Sequence, residues 1–198
     1  MNMYHTDEDY LKAVKSGDMA TAQRMVDDAA DEWAYRSVVR SSDKLIKVYH
    51  GSTESFSVFD PQKLGQNGAA DTKLGFFFSE SEEVAKMFAG DGGEVKAYYL
   101  NVKDPLVIEN AEFEELLFGD DSTDWREFMA SPEAHLNMDK IQEDAINNDG
   151  ILIDDTTAPQ NPEFAYRVWI VKDPSQIKSA DPITYDDGNV IPLSERFN

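Results

Sequence analysis

The apolar residues of this chain come mostly in short strand-type runs, each cut off by glycine, proline or aspartate, so the fold must be built around a sheet assembled from separate pieces. The runs are Lys47 to Ser52, Gly75 to Phe78, Glu94 to Val102, Leu106 to Ile108, Gly150 to Asp154 and Val168 to Val171. In the third, Val95, Ala97 and Tyr99 alternate with Lys96 and Tyr98, the period of a strand with one buried face. The longest apolar stretches, such as Gly75-Phe76-Phe77-Phe78, fall far short of the roughly 20 residues that cross a bilayer. No charged-then-apolar leader opens the sequence, and the expected residence is cytoplasmic.

Helical signals surround these runs. Thr6 with Asp9 forms a capping box for a helix through about Val14 that Gly17 can end. Met19, Ala22, Met25, Val26, Ala29, Ala30 and Trp33 recur at helical spacing, so a second helix and a hairpin follow. Its small stripe, mostly alanine, predicts packing on the next domain. Ser79, three residues before Glu82, reads as another capping box, for a helix that carries Val84, Met87 and Phe88 and stops at Gly90. Gly65 to Asp71 reads as a mobile loop. Residues 111–148 are acidic, with helical pieces around Phe113 to Phe118, Trp125 to Met129 and Met138 to Ile146, and read as an insertion or cap. The expectation is an α+β fold: a helical lead-in over 1–44, a main domain over 45–180 with the insertion at 111–148, and a tail over 181–198 of little apolar content.

Cysteine is absent, which removes disulfides, thiolate nucleophiles and cysteine zinc sites. His5 and His135 lack HExxH-type neighbours, so no metal is expected. Eighteen basic against 39 acidic residues give a net charge of −21, which repels a phosphate backbone and argues against direct nucleic-acid binding. Such acidity serves solubility, or a surface that mimics nucleic acid or docks on a basic partner. The remaining feature is His50, at the end of a strand and directly before Gly51.

Tyr49-His50-Gly51, followed by Gly75-Phe76-Phe77-Phe78-Ser79 and then Phe88, resembles the histidine-type ADP-ribosyltransferases, the class of diphtheria toxin and the poly(ADP-ribose) polymerases. In that class a strand ends in Tyr-His-Gly, a later strand reads Gly-x-Tyr-x, and a second tyrosine follows at the interval that separates Phe77 from Phe88. Within the class the chain is similar to the ADP-ribosyltransferase-like domains of phage and mobile-element polyvalent proteins. There a helical hairpin precedes Tyr-His-Gly, a segment like Asp173 to Ser179 closes the domain, and the tail resembles Thr184 to Gly188.

The resemblance implies mixed and antiparallel sheets flanking an NAD cleft, with NAD as substrate. It implies that His50 holds a ribose hydroxyl, that Gly51 admits the nicotinamide amide to the backbone, and that Phe77 and Phe88 sandwich the nicotinamide ring. Ser52 and Gly75 belong to the same binding segments. Breaking the bond between ribose and nicotinamide passes through a transition state of oxocarbenium character, which calls for positioning and charge stabilisation. The class places an essential glutamate where this chain has Val168. Glu163 in the preceding loop and Gln176 are the candidates to compensate, and Arg167 is a candidate partner for the pyrophosphate. Against a charge of −21 an NAD pocket also needs local cations, for which Lys73, Lys86 and Arg167 lie nearest in sequence.

Three functions stay open on the sequence. One is a mono-ADP-ribosyltransferase, encoded by a phage or mobile element, that modifies a host or phage protein in the host cytoplasm. The second is a weakened relative that binds NAD or a partner. The third is an acidic inhibitor or nucleic-acid mimic.

Overall fold

Helix α1 (Asp7–Ser16) starts where Thr6 accepts the Asp9 N–H, and ends where Gly17 adopts φ +76°, a left-handed conformation that costs glycine little. Asp18 caps α2 (Met19–Trp33) in the same way, through the Thr21 N–H. Here and below the protein is seen in a computed structural model, which describes residues 5–56, 58–66, 68–109, 111–113, 115, 125–154, 156 and 167–198. Tyr10, Ala22, Val26 and Ala30 turn the apolar side of the helical pair inward and are fully buried.

Two residues of positive φ, Ser42 and Asp43, turn the small hairpin of β1 (Arg40–Ser41) and β2 (Lys44–Leu45). The chain then enters β3 (Val48–Ser52), β4 (Phe76–Ser79), α3 (Glu82–Ala89), β5 (Glu94–Leu100) and β6 (Pro105–Glu109). Helices α4 (Trp125–Met129) and α5 (Pro132–Asp144) lead to β7 (Gly150–Asp154), β8 (Arg167–Val171) and β9 (Ile177–Ser179). The hairpin of β10 (Tyr185–Asp186) and β11 (Asn189–Val190) and the short α6 (Leu193–Arg196) close the chain.

The central sheet runs β6-β7-β8-β4-β3-β5-β9, antiparallel except for the β6–β7 pair. A parallel pair needs a long crossover, and the acidic stretch after β6 is that crossover. Its Phe113, Met129, Ala134, Met138 and Ile141 bury against Ile108, Ile151, Ile153, Val168 and Ile170. The segment read as an insertion therefore covers one sheet face, and α5 begins at Pro132 under a Ser131 cap, earlier than the pattern around Met138 suggests.

The opposite face curls round on itself. Val102, just past β5, reaches to 3.0 Å from the position a Cβ would take on Gly150 at the start of β7. These strands stand four places apart in the sheet, roughly 19 Å if it were flat at about 4.8 Å per strand. The curl gathers Val48, Phe78, Tyr98, Leu100, Leu152, Trp169, Val171 and Ile177 into one core, with Phe59 from the segment after β3. The expected loop over Gly65 to Asp71 is in part a 3-10 turn, Ala70–Lys73, whose Ala70 and the following Leu74 are buried. The tail also departs from its expected apolar poverty, since Leu193 and Phe197 pack with the α1–α2 pair.

Candidate active site

The site is set by where two strands part. β3 pairs with β5 at every position from Val48 to Ser52, and β4 pairs with β8 from Phe76 to Ser79. Between them β3 and β4 pair only at Tyr49–Ser79. Beyond that single pair the sheet divides into a β6-β7-β8-β4 half and a β3-β5-β9 half. His50 and Gly51 are the next two residues into the division.

The His50 side chain bridges it. Nδ1 lies 2.7 Å from the Phe77 carbonyl oxygen. That oxygen can only accept, so Nδ1 carries the proton and Nε2 of the neutral ring is left as an acceptor. The ring is packed among Phe56, Phe59 and Phe78, with centroids 5.5, 5.3 and 5.4 Å away. Burial holds its pKa below the ordinary 6.5, partly opposed by the Phe77 hydrogen bond, so the neutral form prevails near pH 7. An imidazole in this state can take a hydrogen bond from a hydroxyl at Nε2.

Gly51 has a packing reason to be glycine. A Cβ there would overlap the Ala85 carbonyl oxygen and come within 3.0 Å of the Ala89 N, so the backbone of α3 lies directly on β3. Gly75 is similar: at φ +149° its missing Cβ leaves room for the Val171 carbonyl, 2.6 Å from where it would stand. Ser79 does not cap α3, as the sequence pattern suggests. It ends β4 and accepts the Ser81 N–H, while Ser81 is the cap, accepting from Val84 N. Ser52 shares the His50 face and lines a cavity of about 10 Å³ with it.

Because side chains alternate along strands, Phe77 points to the α3 side of the sheet and His50 to the other. Phe77 is half-buried against the cluster under α5, and Phe88 on α3 is 66% exposed. Ring contacts among the described residues do not join the two. Val168 is buried in the same apolar cluster. Arg167 pairs with Asp154 at 3.1 Å. Burial works against the Asp154 charge, but hydrogen bonds from Thr156 and the Arg167 guanidinium outweigh it and hold the carboxyl below its ordinary range. Gln176 donates to the carbonyls of Asn101 and Asp149, at 3.1 and 2.8 Å, and stands away from His50. It lines a separate groove of about 710 Å³ whose walls include Trp33, Lys103, Ile146 and Lys172. Glu163 lies outside the described residues.

The structure adds residues that sequence reasoning did not single out. Phe56 and Phe59 cover His50, and Lys96 stands directly opposite it in the β3–β5 ladder. The signal for Lys96 was available: its place in the alternation from Glu94 to Leu100 puts it on one face with Tyr98. Glu80, past the end of β4, accepts the Trp169 indole N–H at 2.9 Å, a contact that no local pattern announces.

No group of three or more acidic, histidine or cysteine side chains among the described residues is arranged to hold a metal ion. No helix among them is long and apolar enough to cross a membrane. Comparison with curated proteins and with solved structures found no match. A family model described as ADP-ribosyltransferase in polyvalent proteins does match, over residues 42–184, the span that contains β3, β4, α3 and the divided sheet. The chain belongs to the ADP-ribosyltransferase family of polyvalent proteins.

Proposed function

We propose that the protein is an NAD-dependent mono-ADP-ribosyltransferase, encoded by a phage or mobile element, that modifies a host protein. The observation that carries this is His50 at the division of the sheet, with Nδ1 committed to the Phe77 carbonyl and Nε2 left to accept. In this reading NAD is the donor of ADP-ribose, and nicotinamide leaves as the acceptor takes its place. The Nε2 atom accepts a hydroxyl of a ribose and fixes its orientation. The bare backbone of Gly51 is approached by the nicotinamide amide, and the exposed ring of Phe88 supplies a stacking face. Phenylalanine at 77 and 88 keeps the apolar surface of the family's tyrosines without their hydroxyls. The test is transfer of label from NAD to acceptors in a bacterial lysate. Transfer by the wild type, abolished in His50→Ala, supports the reading; no transfer across candidate lysates counts against it.

A second reading is favoured by one observation, the burial of Val168 among Ile108, Ile153 and Ile170. A valine there can offer no hydrogen bond or charge to a transition state. A protein so built binds NAD yet turns it over slowly. Calorimetry then detects NAD binding that Phe88→Ala weakens, with no nicotinamide released.

A further inference from the structure

We propose that Lys96 receives the pyrophosphate of the dinucleotide, and that in doing so it releases a strap that closes over His50. The inference rests on the NAD-dependent reading above. The cations that lie nearest in sequence are already engaged: Lys73 with Asp139 at 2.6 Å, Lys86 with Glu82 at 2.7 Å, and Arg167 with Asp154 at 3.1 Å. Lys96 is different in position. It is the cross-strand partner of His50, it shares His50's face, and both line the same small cavity with Ser52, Glu54 and Glu94.

That cavity, about 10 Å³, is far smaller than the roughly 300 to 1,000 Å³ of a site for a molecule of this size. The cover is the strap after β3, residues 53–56 and 58–60. Its Phe56 and Phe59 set their rings edge-on to the imidazole, and the polar anchors beside them are few. Lys96 Nζ donates to the Phe56 carbonyl at 3.0 Å and pairs with Glu94 at 3.0 Å, and Glu94 accepts the Ser55 hydroxyl at 2.8 Å. Ser55 and Glu94 are exposed, so this latch is screened by water and weak.

One ammonium group therefore holds the strap through a neutral carbonyl. A pyrophosphate is a much stronger partner for it, through charge-assisted hydrogen bonds. Exchange of the Phe56 carbonyl for phosphate oxygen frees the strap, and withdrawal of Phe56 opens the approach to Nε2. Arrival of the anion and uncovering of His50 become one linked equilibrium.

The experiment is calorimetric titration of NAD into the full chain, with hydrogen exchange of residues 53–56 followed alongside. In the wild type, NAD speeds exchange over 53–56. Phe56→Ala, which removes the cover, tightens NAD binding. In that background Lys96→Gln weakens NAD about tenfold and flattens the dependence on salt, whereas Lys96→Arg stays within about threefold of lysine. NAD binding that is unchanged by Lys96→Gln in the Phe56→Ala background overturns the role of Lys96 and leaves the NAD reading standing. Slower or unchanged exchange over 53–56 on NAD addition overturns the strap. If neither the wild type nor Phe56→Ala binds NAD, the functional reading fails and this inference fails with it.

Discussion

At the scale of single residues, the account turns on the proton of His50. A folded-state pKa below 6.5 means that the unfolded chain binds the proton more readily, so the stability tied to the neutral ring is complete above about pH 6.5 and is lost as pH falls through the folded value. Denaturation of the wild type between about pH 7 and pH 5 is therefore expected to weaken more steeply than that of His50→Asn, whose side chain has no proton to gain. Equal slopes would show that burial does not govern this group. Gly51 offers a sharper steric test. A Cβ against the Ala85 carbonyl forces α3 away from β3, and Gly51→Ala is expected to cost about 1 to 3 kcal/mol in chemical denaturation. His50 and Gly51 were legible because strand, histidine and glycine are adjacent in sequence. Lys96 and Phe56 were not read, because their meaning lies in a cross-strand partner and a strap contact that only the folded chain brings together.

At the scale of elements, the division between β3 and β4 does what no single residue can. It leaves a gap in the sheet that one side chain spans, while α3 lies against its β3 side. Phe88 projects from α3 with most of its surface in water, so its loss removes little packing. Phe88→Ala is expected to change stability by no more than about 0.5 kcal/mol and to weaken NAD binding several-fold by calorimetry. A large loss of stability with unchanged NAD affinity would make Phe88 a packing residue. The strand runs were readable from periodicity, and α3 was placed correctly although its cap was assigned two residues early, to Ser79 rather than Ser81. The crossover from β6 to β7 was read as an insertion because helical pieces in an acidic stretch carry no sign of the strands they connect. Pairing between distant segments, which makes β6 and β7 parallel, is absent from any local pattern.

At the scale of the whole molecule, the curled sheet and the helices on its outer face form three apolar clusters, and the tail completes one of them. Arg196 is buried there and donates to the carbonyls of Ser179 and Asp181 and to the Tyr10 hydroxyl, tying the end of the chain to β9 and α1. Leu193 is fully buried beside it, and Leu193→Ala is expected to cost about 2 to 5 kcal/mol in denaturation. A cost below about 1 kcal/mol would mean that the tail is not part of the cooperative fold. The sparse apolar content of 181–198 concealed this role, since a few well-placed side chains suffice to seat a short helix. The charge of −21 is compatible with the dinucleotide reading because a cation sits beside His50, where the pocket needs one. The most direct measurement is mass spectrometry of the purified protein incubated with NAD and host lysate, following free nicotinamide and ADP-ribose adducts together. The account predicts nicotinamide release matched by an adduct on a protein, both lost in His50→Ala. Release and adduct that persist undiminished in His50→Ala, or neither in the wild type, would contradict it.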